Sequence, residues 1–268
     1  MNHSILKGKR GIIFGALDEQ SIAWEVALAA KEAGAIFTLT NAPVAIRMGK
    51  IKALAEICEC ELISADATNL EDLQHLIEQS IEILGGPIDF VLHAVGMSPN
   101  VRKKRAYTDL DYSYFEKTLD ISAVSFHKFL QTAWKMDALA PQASVIALTY
   151  IAAQKAFPGY GDMSDAKATL ESITRNFGYY YGQKNGVRIN TISQSPTFTT
   201  AGKGIAGFQK FYDYADNLSP LGNADAKSCA EFCVMMFSDY TKMITMQNLF
   251  HDGGFSQTGM NSDLLSSE

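Results

Sequence analysis

Apolar residues along the chain fall into short dense blocks, separated by longer stretches in which they recur every third or fourth position. The blocks Arg10–Phe14 (RGIIF), Ile36–Leu39, Glu61–Ser64, Asp89–His93, 144–149, Val187–Ser193 and Gln247–Phe250 predict strands. The periodic stretches predict helices over Ile22–Ala33, 44–57, 69–84, 111–137, 160–180, 206–215 and Asp225–Phe237. Gly34 closes the first helix, and Gly85, Gly86 and Pro87 stop the third. Thr68 and Glu71 have the spacing of a capping box at its start. Residues 97–110 read as a basic, polar loop, and 194–222 form the longest stretch without clear periodicity. Several strands are almost continuously apolar, as expected when helices cover both faces of a parallel sheet. The alternation with helices of ten residues or more argues for repeated βαβ units. No linker divides the chain. The expected fold is α/β, a single doubly wound (Rossmann-type) domain over residues 1–268 with a mostly parallel sheet of about seven strands.

Composition narrows the partners. The 268 residues carry 23 basic and 29 acidic groups, a formal charge of −6, which argues against nucleic acid. The opening MNHSILKGKR has no leader pattern and no 18-residue apolar run occurs, so a cytoplasmic protein with no membrane partner is expected. The close pairs Cys58/Cys60 and Cys229/Cys233 form no ligand pattern with His75, His93, His127 or His251. Core or helix-face positions are expected for them, and no metal.

Candidate chemistry gathers after the fifth predicted strand, in the run from Ala143 to Asn176. If residues 160–167 are helical, Tyr160 and Lys167 share a face almost two turns apart. An ammonium beside a phenol would lower a phenol pKa that is ordinarily about 10. The same residues also fit a packed tyrosine beside an exposed lysine. Elsewhere, the turn after the first strand lies where a dinucleotide pyrophosphate would meet backbone N–H groups. It lacks the usual Gly-x-Gly and instead places Ser21-Ile22-Ala23 six residues after Gly15, with Ser21 able to cap the helix and offer a hydroxyl to phosphate. Asp66, past the third strand, is positioned to accept from an adenine amino group or to cap its own loop. Gly96 permits close backbone approach. Asn41 stands where an acid would normally hold the ribose hydroxyls, and Arg47 and Lys50 are within reach of a 2′-phosphate if not simply on an exposed helix face. All of these lie at the carboxyl edge of the expected sheet, where open parallel sheets bind ligands.

These residues carry a resemblance. The segments GALDEQSIAW, the tyrosines around IAAQKAFPGY, the Tyr160–Lys167 spacing and ISQSPTFT at 192–199 resemble the bacterial enoyl-[acyl-carrier-protein] reductases of the divergent short-chain dehydrogenase/reductase type, over nearly the whole chain. Ordinary members of that superfamily use Tyr-x3-Lys with a serine thirteen residues before the tyrosine. Counting back from Lys167 puts Met163 and Tyr150 at those two places, which favours the enoyl type over a ketoreductase.

The resemblance implies hydride transfer from NADH, with NADPH the alternative, to the trans-2 double bond of an enoyl thioester on an acyl-carrier protein. It implies Tyr160 near the thioester carbonyl, Lys167 on the nicotinamide ribose, and Tyr150 and Met163 along the substrate. Gly15, Ser21 and Ile22 match the pyrophosphate loop, Asp66 and Ala67 the adenine site, and Ala94, Val95 and Gly96 the turn beside the adenosine ribose. Asn41, Ile192, Pro196, Thr197 and Thr199 complete the implied cofactor contacts. Segment 194–222 matches the part that covers substrate, and Phe157, Phe198, Ile205 and Phe208 are expected around the acyl chain. Lys203 and Lys210, with Arg102, Lys103, Lys104 and Arg105, are candidates for docking an acidic carrier. A homotetramer is implied. Asn41, Ala94, Gln194–Ser195 and Met246 depart from the common pattern. A reductase of another enoyl or 3-keto thioester, and a nucleotide-binding regulatory protein, remain as other readings.

Overall fold

The computed structural model describes residues 4–200, 202, 205 and 207–261. Seven strands pair in parallel in the order β3-β2-β1-β4-β5-β6-β7. They are β1 Arg10–Phe14, β2 Ile36–Asn41, β3 Leu62–Ser64, β4 Ile88–His93, β5 Leu139–Thr149, β6 Arg188–Gln194 and β7 Asn248–His251. The helices are α1 Ile22–Glu32, α2 Pro43–Met48, α3 Ile51–Cys58, α4 Leu70–Leu84, α5 Pro99–Arg102, α6 Tyr112–Leu119, α7 Ser125–Lys135, α8 Met163–Asn185, α9 Phe208–Leu218 and α10 Ala226–Phe237. Among the described residues no helix is long and apolar enough to cross a membrane.

The continuous apolar character of the strands has a direct cause. Successive strand side chains point to opposite faces, and both faces are covered. Ile13, Phe90, Leu92, Ile146 and Ile192 pack with α1, α3 and α10, where Cys58, Cys229 and Cys233 are buried. Ile12, Phe14, Val91, Val145 and Ala147 pack with α4, α7 and α8. β1 lies between β2 and β4, so the chain's direction of travel across the sheet reverses there. A crevice opens at the carboxyl ends of strands at such a switch point.

Three local expectations are corrected. The helix predicted over 44–57 is two, because the chain turns at Gly49–Lys50 between α2 and α3. The helix predicted over 111–137 contains a π-turn at Asp120–Val124 between α6 and α7. That extra residue turns buried Ser122 toward the loop after β4, where its Oγ accepts from the Met97 N–H at 3.0 Å. The capping box is absent. Asn69 is the N-cap of α4, its side-chain oxygen accepting from the N–H groups of Glu71 (2.8 Å) and Asp72 (3.2 Å), while Thr68 donates to Asp66.

Asn69→Ala is therefore expected to lower the unfolding free energy by about 1 kcal/mol. Glu71→Ala, which removes no capping bond, is expected to change it by less than about 0.5 kcal/mol. Urea denaturation of the two variants checks both values.

Candidate active site

The carboxyl ends of the strands open into a cavity of about 710 Å³. Its wall includes Gly15, Ser21, Ile22, Asn41, Asp66, Ala67, Ala94, Val95 and Gly96 from the first four strand ends. Tyr150, Tyr160, Met163, Lys167, Pro196, Thr197, Thr199, Ile205 and Phe208 complete it from the other side. Three expected residues fall elsewhere. Ile192 is fully buried within the sheet, in the core beneath α10, and does not reach the cavity. Phe198 stands behind the wall with its ring on Phe208 (5.2 Å) and Tyr212 (4.4 Å). Phe157 is likewise behind the wall, against Tyr150 (5.4 Å). A second depression of about 830 Å³ near Lys31, Lys52, Glu56 and Cys60 shares none of these residues. Its charged lining is partly paired within itself, as in Lys31–Glu59 at 2.7 Å.

Tyr160 is not on the helix. α8 begins at Met163, and Tyr160 lies in the preceding turn, its N–H donating to the Phe157 carbonyl at 3.1 Å. Gly159 (φ +89°) and Gly161 (φ +57°) flank it in the left-handed region, which a continuing helix cannot contain. The turn presents the ring to the cavity 5.1 Å from the ring of Tyr150. The phenol is also not acidified. Burial raises the pKa of Tyr160, and burial first, then the neighbouring Tyr160, raises that of Tyr150. Both rings present neutral O–H groups, and the buried Tyr150 hydroxyl has no hydrogen-bond partner among the described residues.

Lys167 sits on the first turns of α8 and is 8% exposed. Its Nζ donates to the Leu148 carbonyl at 2.7 Å, which fixes the ammonium beside the end of β5. Burial lowers its pKa to about 8, and the charge of Glu171, one turn along the helix, works in the opposite direction. Glu171 is itself buried, accepting from Thr149 Oγ1 (3.0 Å), Gln154 Nε2 (3.0 Å) and Asn248 Nδ2 (3.1 Å). His93, at the end of β4, is held neutral, its pKa lowered to about 3 by burial and then by the Lys167 charge.

The first turn fits a dinucleotide. A Cβ added to Gly15 (φ +93°) would lie 2.1 Å from the Ala94 carbonyl oxygen, so only glycine lets the β1–α1 turn close onto the end of β4. At Gly96 the protein demands nothing of the kind. An added Cβ there meets side-chain atoms at ordinary contact distance, Met163 Cε at 3.5 Å, Lys167 Nζ at 3.8 Å and Ser122 Oγ at 3.9 Å, and the glycine leaves bare backbone facing the cavity. Ser21 does not cap α1 through its side chain. The hydroxyl folds back to donate to the Asp18 carbonyl (2.5 Å) and accept from the Leu17 N–H (3.1 Å), shaping the turn. Asp66 Oδ1 takes the N–H and hydroxyl of Thr68 at 2.9 and 2.8 Å, so local capping uses one of its oxygens. Asn41 is fixed to backbone, donating to Ala16 O and accepting from Ala42 N–H, each at 2.9 Å. Arg47 and Lys50 do not line the cavity, and Lys50 pairs with Glu19 at 2.8 Å.

Some site residues left no readable signal in the sequence. Phe211 lines the cavity and packs its ring on Tyr150 at 5.9 Å; the amphipathic stretch marked α9, not which of its aromatics turns inward. Asp162, between Tyr160 and Met163, is fully buried. It accepts from Ser98 Oγ (2.6 Å), Asn100 Nδ2 (2.8 Å) and Thr118 Oγ1 (2.9 Å), tying the tyrosine turn to the loop after β4. These contacts are 44 to 64 residues apart in sequence, which no local pattern records.

Comparison with known proteins gives a consistent picture. A family model described as enoyl-(acyl carrier protein) reductase matches residues 15–256. The enoyl-[acyl-carrier-protein] reductase [NADH] 1 of Rhizobium meliloti is 31% identical, with 96% of this chain and 93% of that protein covered. A crystal structure of a FabI–NADH complex from Alistipes finegoldii is 57% identical and superimposes with a TM-score of 0.96 over 98% of this chain and 93% of that one. The Bacillus cereus enoyl-acyl carrier protein reductase, solved with NADP+ and indole naphthyridinone, is 26% identical with a TM-score of 0.89, over 96% of this chain and 100% of that one.

The Lys167–Glu171 geometry has a measurable consequence. Lys167 is expected to titrate near pH 8, and Glu171→Gln to move its midpoint lower still, because the anion that favours the ammonium is gone. NMR titration of isotopically labelled lysine side chains, with Lys167→Met for assignment, checks both the midpoint and the direction.

Proposed function

The chain belongs to the enoyl-(acyl carrier protein) reductase family, and from that premise we propose that it reduces the trans-2 double bond of enoyl thioesters on an acyl-carrier protein, with NADH as reductant, in fatty acid elongation. The observation that carries this reading is the meeting of Tyr150, Tyr160 and Lys167 in one cavity with the Gly15 turn and bare Gly96. Bound NADH supplies the hydride that reduces the double bond.

The chain's own residues do the rest. Gly15, just after β1, lets the pyrophosphate approach the turn closely, and Ile22 at the head of α1 offers its backbone N–H beside Ser21. The Gly15 and Ser21 N–H groups are taken by the carbonyls of Thr40 and Asp18. Asp66 keeps an oxygen for the adenine amino group beside Ala67, and Ala94, Val95 and Gly96 take the adenosine side. Lys167, held at the Leu148 carbonyl through one N–H, would offer its remaining donors to the nicotinamide ribose hydroxyls, with Pro196, Thr197 and Thr199 closing the far side. Tyr160, kept neutral by burial, donates a hydrogen bond to the thioester oxygen. That bond strengthens as negative charge develops there, so it stabilises the transition state more than the bound substrate. Tyr150, Met163, Ile205 and Phe208 line the acyl channel, and segment 194–222 covers it. Arg47 of α2 does not line the cavity, so no cation stands beside Asn41 to take a 2′-phosphate there, whereas Arg102 and Lys117 border the cavity elsewhere.

The enzyme acts in the cytoplasm as a homotetramer in this reading, with α6, α7 and α8 at the interfaces. Tyr179 and Tyr180 on α8 are exposed aromatics suited to such a contact. Light scattering decides the assembly. Carrier docking falls to Arg102, Lys104 and Lys210, which have no ion pair among the described residues. Arg105 is instead engaged with Asp109 and Asp111, and Lys103 lies over the Tyr114 ring. Lys203 lies outside the described residues.

Two measurements test the proposal. With a trans-2-enoyl thioester, wild-type turnover is expected with NADH far above NADPH, and Tyr160→Phe is expected to lower kcat about 100-fold. Lys167→Met is expected to raise KM for NADH about tenfold. Turnover of acetoacetyl in place of crotonyl thioester would indicate the 3-keto reading, and NADH binding without any turnover a regulatory protein. For docking, Lys210→Glu is expected to raise KM for the carrier-linked substrate about threefold and flatten its salt dependence. Unchanged KM and salt response would remove Lys210 from the docking surface.

A further inference from the structure

β6 ends at Gln194 and Ser195 follows it; both border the cavity, and each is only 4% exposed. A residue at a strand end beside a ligand crevice would ordinarily meet solvent or ligand. Here both side chains turn into a dense hydrogen-bonded node. Gln194 Nε2 donates to the carbonyls of Ala224 (2.9 Å) and Asp225 (3.2 Å) and to Thr197 Oγ1 (3.2 Å). Carbonyls only accept, so the amide orientation is fixed and Oε1 faces His251 Nδ1 at 2.7 Å. Nδ1 must then carry the proton, leaving His251 as the Nδ1–H tautomer when neutral. His251 is the register partner of Gln194 on β7 and stacks on Phe232 of α10, with centroids 5.2 Å apart and planes 12° from parallel. Ser195 closes the node: its N–H donates to the His251 carbonyl (3.0 Å), and its Oγ accepts from the Ala224 N–H (2.9 Å).

The node leads to the cavity wall through one further residue. Asn223 Nδ2 donates to the Tyr212 carbonyl (2.9 Å), and the Asn223 N–H to Asp216 Oδ1 (2.8 Å), both on α9. α9 carries Phe208 and Phe211 into the cavity, and Phe211 packs on Tyr150. Hydrogen bonds thus tie the ends of β6 and β7 to Ala224, and others tie its chain neighbour Asn223 to the helix that forms the aromatic wall. We propose that Gln194 and Ser195 are positioning residues: they fix the connection between α9 and α10 against the sheet, and so set where Phe208 and Phe211 stand in the acyl channel. The link to the acyl chain rests on the reductase reading above; the positional claim does not.

The test is Gln194→Met, which keeps the side chain's length and removes its hydrogen bonds, with Ser195→Ala and Asn223→Ala as milder breaks of the same path. Amide hydrogen exchange over 208–224 is expected to rise about tenfold in Gln194→Met, with exchange in β1 and β4 unchanged. Long-range nitrogen NMR is expected to show His251 losing its Nδ1–H preference. KM for the enoyl thioester is expected to rise about fivefold with kcat within about twofold, as when binding common to ground and transition states is lost. Exchange over 208–224 unchanged in folded Gln194→Met, or raised equally throughout the sheet, overturns the proposal. If Gln194→Met does not fold, the same exchange criterion applied to Ser195→Ala and Asn223→Ala decides it. Absence of enoyl turnover in wild type would instead strike the reductase reading, since the exchange and tautomer measurements need no substrate.

Discussion

A buried ammonium organises this molecule. Lys167 is almost wholly enclosed, and its pKa falls from 10.5 to about 8 for that reason. At neutral pH the fold therefore carries a penalty of roughly 3 kcal/mol for keeping the charge, at about 1.36 kcal/mol per pKa unit. The sign follows from linkage. Between pH 8 and 10.5 the unfolded chain holds the proton and the folded chain does not, so stability rises with pH across that window. Below it the penalty is present in full. A chain gains nothing in stability from such a lysine, and the surroundings limit the cost without removing it. The Leu148 carbonyl accepts from the ammonium, and Glu171, held by three donors, opposes the downward shift. A charge maintained at that cost, facing a cavity, is the mark of a functional site.

The architecture was legible because several strands, β1, β4 and the second half of β5 above all, are apolar on both sides. That property follows from helices on both faces, and it separates strands from the periodic helices between them. Boundaries failed where a tertiary partner decides them. β5 begins at Leu139, well before the apolar run at 144, because its first residues complete the edge beside β4. The π-turn in the long helix is invisible to periodicity, since it changes the phase by one residue only where Ser122 must reach Met97. The cap of α4 went to Asn69 instead of Thr68 because Asp66 already holds the Thr68 hydroxyl.

The site was legible to the extent that strand ends converge. Gly15, Asp66, Gly96, Tyr150 and Pro196 each follow a strand, so a parallel sheet alone brings them to one edge. Ile192 was expected there from the family resemblance, but its side chain is buried in the core beneath α10. Tyr160 and Lys167 do meet the same cavity, though not through a shared helical face. Gly161 breaks the helix, and fully buried Asp162 anchors the turn to Ser98, Asn100 and Thr118. The Tyr–Lys spacing was therefore informative while the geometric reason first attached to it was not.

That difference changes the chemistry expected of the tyrosine. On a common helix face beside an ammonium, Tyr160 would be pushed toward phenolate. In the observed turn it is partly buried with no acidifying partner, and that burial holds its proton more tightly than in water. A neutral phenol beside a second neutral phenol at 5.1 Å is a poor base and a good hydrogen-bond donor. Desolvation opposes the phenolate, and the same low dielectric strengthens a hydrogen bond to any charge that develops on a substrate oxygen. The environment thus favours stabilising an enolate-like oxygen without prior ionisation of Tyr160, and leaves the positive charge, present below about pH 8, to Lys167. The division between a neutral donor and a buried cation follows from a glycine-bounded turn that sets Tyr160 off the helix while α8 carries Lys167 into the enclosed end of β5.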